Sequence, residues 1–286
     1  MTAVLNQPLA IGMMRLADYP ELATAQQLLG LVLRCAEQGV TTFDHADIYG
    51  AGQCEAKFGE ALAIKPSVRS QLTLISKADI VARDADDSPW QVKHYNSSAE
   101  YLVQQVDASL RRLRTDYLDG FLLHRPDPLM RVDELADVLQ GLIASGKVRW
   151  VGVSNFAPAH WSALAAAVPL RCNQIELSLA AQAAVWDGQL QHMAAKGIQV
   201  MAWSPLAGGR FSSNLKQALQ AVAEAHGATV EQIALAWVRA LPGAPVCVLG
   251  SLRWQRISDA VSASALCLSR QEWFYLAEAA RGHAVA

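Results

Sequence analysis

Thr41-Thr42-Phe43-Asp44-His45-Ala46-Asp47-Ile48-Tyr49-Gly50 opens on β-branched and aromatic residues and closes on polar, titratable and turn-forming ones. That change predicts a short strand over residues 41–46 whose C-terminal end carries Asp44, with Tyr49 just beyond it. The same arrangement recurs along the chain. Apolar runs over 72–77, 118–124, 149–154, 172–177, 199–204 and 246–250 read as further strands, and a weaker one over 10–14 completes eight. Segments of helical periodicity lie between them, over 26–38, 99–113, 132–145, 158–166, 188–195, 215–226, 230–240 and 254–264. Ser97 with Glu100, and Thr229 with Gln232, have the spacing of helix-capping pairs. Pro158 suits a first helical turn.

Strands alternating with helices form either an open doubly wound sheet or a closed barrel. An open sheet concentrates its ligand residues at one switch point, whereas a barrel spreads them over the C-terminal ends of many strands. Lys77, His124, Ser154 with Asn155, Trp203 with Ser204, and Gly250 with Ser251 all fall at strand ends. The reading is therefore a single-domain (β/α)8 TIM barrel over residues 1–286, a size that one barrel accommodates. Two longer stretches, 80–96 and 206–214, interrupt the rhythm and read as irregular loops.

Just over half of the 286 residues are apolar, 52%, enough for a sizeable core, and the formal net charge is −2. The dispersed basic residues exclude the concentrated positive footprint of a nucleic-acid binder. Five well-separated cysteines without metal-ligand spacing suit a reducing, cytoplasmic setting. No apolar run approaches the roughly 20 residues that span a bilayer. The expected partner is a small molecule.

Carbonyl reduction gives these strand-end residues a common purpose. A hydride attacks the carbon, charge develops on the oxygen, and a positioned acid must protonate it. Tyr49 can be that acid, given a cation to stabilise its conjugate base, and Lys77 supplies one. A carboxylate keeps a dehydrated lysine charged, which is the role of Asp44. His124 can hydrogen-bond the substrate oxygen and restrict its orientation. Singly each has an ordinary explanation: a turn cap, a packing ring, a snorkelling lysine, a satisfied strand-end histidine.

Phe43-Asp44-His45-Ala46-Asp47-Ile48-Tyr49-Gly50, Ser76-Lys77 and Leu122-Leu123-His124-Arg125-Pro126 together resemble the aldo-keto reductase superfamily, including uncharacterised bacterial oxidoreductases of that group. The likeness continues in order through Ser145-Gly146-Lys147-Val148-Arg149, Gly152-Val153-Ser154-Asn155-Phe156, Asn173-Gln174-Ile175-Glu176 and Trp203-Ser204-Pro205-Leu206. The resemblance implies that Asp44, Tyr49, Lys77 and His124 are a catalytic tetrad with Tyr49 as proton donor. It also implies that Ser154, Asn155 and Gln174 hold a nicotinamide carboxamide and that Trp203 stacks on the ring. Ser204 and Leu206, in the same motif, and Gly208, in a stretch placed to cover a pyrophosphate, extend the cofactor set.

Gly250 and Ser251, followed by Arg253 and Arg256, offer backbone amides, a helix start and two cations after the last strand, where barrels bind phosphate. Two arginines on one helical face can clamp a ribose 2′-phosphate, so the expected cofactor is NADPH/NADP+ rather than NADH. The chain departs from the family pattern at Leu249, where a proline is frequent, and at Ala260, near which an adenine-contacting asparagine is usual. Two rival readings stand beside this one. Asp44, His45, Asp47 and His124 are possible ligands for a metal-dependent hydrolase, though without a metal-binding motif. The same barrel could also serve as an NADPH-binding regulatory or sensor protein with little turnover.

Overall fold

A computed structural model of the chain describes residues 5, 7–83 and 89–286. Eight parallel strands close into a barrel: β1 (Leu9–Gly12), β2 (Thr42–Asp44), β3 (Thr73–Ala78), β4 (Leu118–Leu123), β5 (Val148–Ser154), β6 (Leu170–Glu176), β7 (Gln199–Trp203) and β8 (Val246–Leu249). Each lies beside its neighbours in sequence, and β1 completes the circle next to β8. All eight strand expectations are met within a few residues.

β4, Leu-Asp-Gly-Phe-Leu-Leu, is buried at every position. A barrel strand covered by helices outside and side chains inside needs apolar residues on both faces, so it lacks the alternation of a half-exposed strand. Gly120 in its middle is obligatory, because a Cβ there would collide with the Trp150 ring lying across the strand.

The chain partitions into two compact units, one of Ile11–Asn173 and one of Met1–Ala10 with Gln174–Ala286. In the first, helices Ala25–Glu37, Gln53–Ile64, Ala99–Leu113, Val132–Ala144 and Pro158–Ala165 connect the strands. Near the start of β4, Asp119 accepts from Arg69 and Arg149, each at 2.9 Å, while both guanidinium groups lie 3.9 Å from the centre of the Tyr117 ring between them. This clamp fastens the end of the strand remote from His124. In the second unit, helix Arg270–Arg281 docks through Trp273, which stacks on Trp237 at 4.7 Å.

Some local expectations change. Ser98, not Ser97, caps helix Ala99–Leu113 by accepting from the Tyr101 amide. The Ser97 hydroxyl instead donates to Asp127 at 2.7 Å. Thr229 and Gln232 do form a reciprocal capping box. The segment 80–96, read as irregular, contains a small antiparallel pair, Ile80–Val81 with His94–Tyr95, and its residues 84–88 lie outside the described residues. Helices Gln53–Ile64 and Arg270–Arg281 add to those expected. Among the described residues no helix is long and apolar enough to cross a membrane.

Candidate active site

Asp44 ends β2, and Lys77 lies one residue before the end of β3. Their register, with Asp44 opposite Ile75, brings the lysine side chain within reach of the carboxylate. Lys77 Nζ donates to Asp44 Oδ2 at 2.8 Å, to the His45 carbonyl oxygen at 2.8 Å and to Tyr49 Oη at 3.2 Å. An ammonium has three N–H donors, so its whole capacity is spent on these neighbours. Burial alone pushes this lysine toward its neutral form, but Asp44 and Tyr49 outweigh it and hold the pKa above the ordinary value. Lys77 is thus a fixed positive charge in a dry environment.

Tyr49 is raised in turn, first by burial, with Lys77 opposing and Asp44 reinforcing. Its hydroxyl keeps its proton at neutral pH while its oxygen accepts from Lys77, which leaves the O–H free to donate elsewhere. The chain then turns sharply: Gly50, Ala51 and Gly52 take φ values of 56°, 51° and 86°. Gly52 is needed twice over, for the left-handed backbone and because a Cβ would stand 2.9 Å from Arg112 Cδ. Arg112 Nε donates at 2.7 Å to the fully buried Glu55, which also accepts from the Ser76 hydroxyl at 2.6 Å. The turn behind Tyr49 is therefore tied to the residue that precedes Lys77.

His124 follows β4, its ring 6.0 Å from that of Tyr49 and inclined at 78°. Burial first, then the cations Lys77, Arg125 and Lys93, lowers its pKa to about 2. The imidazole is neutral and offers one N–H and one acceptor nitrogen. Its Nδ1 is buried without a hydrogen-bond partner among the described residues. The four residues of the expected tetrad are thus brought together within one unit.

The metal-hydrolase reading fares differently. Asp44 is committed to Lys77, and the His45 ring packs edge-on against Phe58 at 4.7 Å. Among the described residues no three histidine, cysteine, aspartate or glutamate side chains are gathered to hold a metal ion.

The expected cofactor residues lie toward the ends of their strands or in the segments that follow them. Ser154 closes β5, and Asn155 beside it adopts φ 62° and donates from Nδ2 to Ser154 Oγ at 2.8 Å. In the other unit, Gln174 is buried with Nε2 3.8 Å from Met201 Sδ, and Trp203 is half-buried at the end of β7. Ser204 and Gly208 after it are exposed and Leu206 is half-buried. After β8, Gly250 is exposed with nothing within 4 Å of a Cβ position, and Ser251 is half-buried. Arg253 and Arg256 open helix Trp254–Ala263, both exposed, and no side chain caps that helix.

Sequence reasoning passed over Glu55, Arg112 and Asp79. Asp79, just beyond β3, is fully buried, has φ 116° and accepts from the Arg125 amide through both carboxylate oxygens. Its only signal in the sequence is its closeness to Lys77.

The family model described as the aldo/keto reductase family matches residues 8–281. The chain is 40% identical over 283 residues to oxidoreductase YdhF of Escherichia coli, covering 96% of this chain and 94% of that protein. It is 39% identical over 281 residues to a 6-dehydroglucose reductase of Agrobacterium fabrum, with the same coverages. Among solved structures, an aldo/keto reductase of Klebsiella pneumoniae, crystallised with NADP and acetate, superposes with a TM-score of 0.78 at 28% identity, covering 94% of this chain and 89% of that one. With a family match that runs nearly end to end and an eight-stranded parallel barrel beneath it, the chain belongs to the aldo/keto reductase family.

Proposed function

We propose that residues 1–286 act as one catalytic domain that reduces aldehydes or ketones to alcohols with NADPH. The observation that carries this reading is the single ammonium of Lys77 shared by Asp44, the His45 carbonyl and Tyr49. It unites a proton donor, the cation that stabilises its conjugate base, and the carboxylate that keeps the cation charged.

When bound, NADPH supplies the hydride for the carbonyl carbon. Tyr49 gives its phenolic proton to the substrate oxygen, and the charge left on Oη is met by the Lys77 N–H already directed at it. Because that donor is in place beforehand, little reorganisation accompanies the proton transfer. Neutral His124 donates one hydrogen bond to the same substrate oxygen and limits the poses in which the carbonyl can sit.

The donor chemistry of the chain suits this cofactor. Ser154, Asn155 and Gln174 provide the mixed donors and acceptors that a carboxamide requires, and Trp203 provides a ring face. Ser204, Leu206 and Gly208 are assigned to its middle portion. Open space at Gly250, Ser251, the start of helix Trp254–Ala263 and the exposed Arg253 and Arg256 suit phosphate groups. The NADP in the Klebsiella pneumoniae structure supports the same choice, and the name of the Agrobacterium fabrum relative makes sugar aldehydes worth testing early.

The test is steady-state NADPH oxidation with aromatic and aliphatic aldehydes, dicarbonyls and 6-dehydroglucose, beside Tyr49→Phe. Turnover should fall at least about a hundredfold in the variant while NADPH affinity is kept. Equal loss of both would show that Tyr49 has another role. Tight NADPH binding without turnover in the parent would favour the regulatory reading instead.

A further inference from the structure

Among the described non-glycine residues with positive φ, six lie between 45° and 62°, in the ordinary left-handed basin, and Asp79 stands apart at 116°. That region is populated almost only by glycine, and a side-chain-bearing residue stays there only when its surroundings over-determine it. Here they do. The turned backbone points the Asp79 carbonyl at the Asn96 amide, which donates to it at 2.8 Å. The regular pairing of β3 with β4 ends at Ala78 opposite Leu123. Beyond it the His124 amide donates to the Ala78 carbonyl at 2.9 Å, and the Arg125 amide donates to the Asp79 carboxylate at 3.1 and 3.0 Å. The side chain thus takes up the Arg125 amide beyond the last backbone bond of the pair, and His124 lies between two amides that are both held by the end of the Lys77 strand.

We propose that Asp79 is a positioning residue for carbonyl reduction: its side-chain carboxyl carries the contact between β3 and β4 past His124 and thereby fixes the imidazole against Tyr49. The proposal rests on the reading of Tyr49 and His124 given above. Asp79 itself touches neither substrate nor reacting atoms.

Two measurements on the full chain test this. The first is the imidazole carbon–proton NMR spectrum of histidine-labelled protein, in which the His124 peak is identified among seven histidines by its loss in His124→Gln. In Asp79→Gly this peak should shift or broaden, since the glycine relieves the backbone but removes the tether. Tm should be equal to or above that of the parent. Asp79→Glu, which keeps the carboxyl group and displaces it, should disturb the same peak and serves if the glycine variant does not fold.

The second is a kinetic cycle. Asp79→Gly should lower kcat about tenfold or more, Asp79→Asn, which keeps a carbonyl acceptor, should stay within about threefold of the parent, and Asp79→Gly should add nothing on top of His124→Gln. An unchanged His124 peak with parental kcat overturns the proposal alone, as do losses that multiply in the double variant. A disturbed peak with kcat indifferent to both Asp79→Gly and His124→Gln overturns the catalytic reading of His124, and the proposal with it.

Discussion

Arg112 donates to Glu55 at 2.7 Å across a separation of 57 residues, and the carboxylate it meets is fully buried. Its other oxygen accepts from Ser76, so the pair ties helix Ala99–Leu113 to the strand that carries Lys77. Removing the arginine would leave a buried carboxylate without its counter-charge. Arg112→Ala should therefore cost about 3 kcal/mol in a urea titration, toward the lower end for a broken buried pair because Arg112 keeps some exposure. It should also lower kcat, because the Gly52 turn behind Tyr49 loses its backing. A loss of stability below about 1 kcal/mol would mean that Glu55 is satisfied without Arg112.

Asp44→Asn tests what keeps Lys77 charged. Burial favours the neutral amine, and Asp44 and Tyr49 reverse that preference. Because the folded pKa is raised, the stabilisation from Lys77 is fully present below the ordinary value of 10.5 and is lost only as pH rises through the folded value above it. Without the carboxylate, burial dominates and the folded pKa drops below 10.5. The variant should lose kcat by on the order of a hundredfold. Its stability deficit against the parent should narrow as pH rises toward about 10, because the folded state no longer has to carry a buried charge. A deficit that does not change with pH would place the cost in lost packing instead.

Asp47 is the reverse case. Burial first, and then repulsion from Glu55, raises its carboxyl to about 7, and its Oδ1 has no hydrogen-bond partner among the described residues. Between about pH 4 and 7 the folded state retains a proton that the unfolded chain has released, so this group makes the protein less stable as pH rises through that window. Asp47→Asn removes the effect. The stability gained by the variant should grow from pH 4 to 7 and level off above it, at on the order of a few kcal/mol. A gain that is the same at pH 4 and pH 8 would show that Asp47 is not held protonated.

What could be read from the sequence divides along a physical line. The eight strands were legible because each is a short apolar run bounded by turn residues, and the placing of Asp44, Lys77 and His124 near one another because each stands at the end of such a run. Ser97 was misread as a cap because Asp127, 30 residues away, takes its hydroxyl. Helix Gln53–Ile64 escaped notice because it starts after a left-handed Gly52 with no side-chain cap, so no start signal marks it. Helix Arg270–Arg281 did carry one, the capping box of Ser269 and Glu272. Glu55 with Arg112, and Asp79 with Arg125, join distant segments, and nothing in an aspartate announces a φ of 116°. Short-range pattern specifies the elements, while the contacts behind Tyr49, Lys77 and His124 join segments far apart in the sequence.

The phosphate assignment makes a prediction of its own. Arg253 and Arg256 are exposed at the start of helix Trp254–Ala263, which the Arg253 side chain does not cap. NADPH differs from NADH only by its 2′-phosphate, so groups that bind that phosphate should act on one cofactor and spare the other. A charge-assisted hydrogen bond contributes about 1.5–3 kcal/mol, which corresponds to roughly a tenfold to hundredfold change in affinity for each arginine that makes one. The double variant Arg253→Ala, Arg256→Ala should therefore weaken NADPH at least about tenfold in a fluorescence titration and leave NADH within about twofold. Because exposed charges are screened, the parent's preference for NADPH should also shrink as salt rises, whereas the variant's should not. Equal weakening of both cofactors would mean that these arginines serve the pyrophosphate or the helix itself, and unchanged discrimination would move the 2′-phosphate site away from this helix.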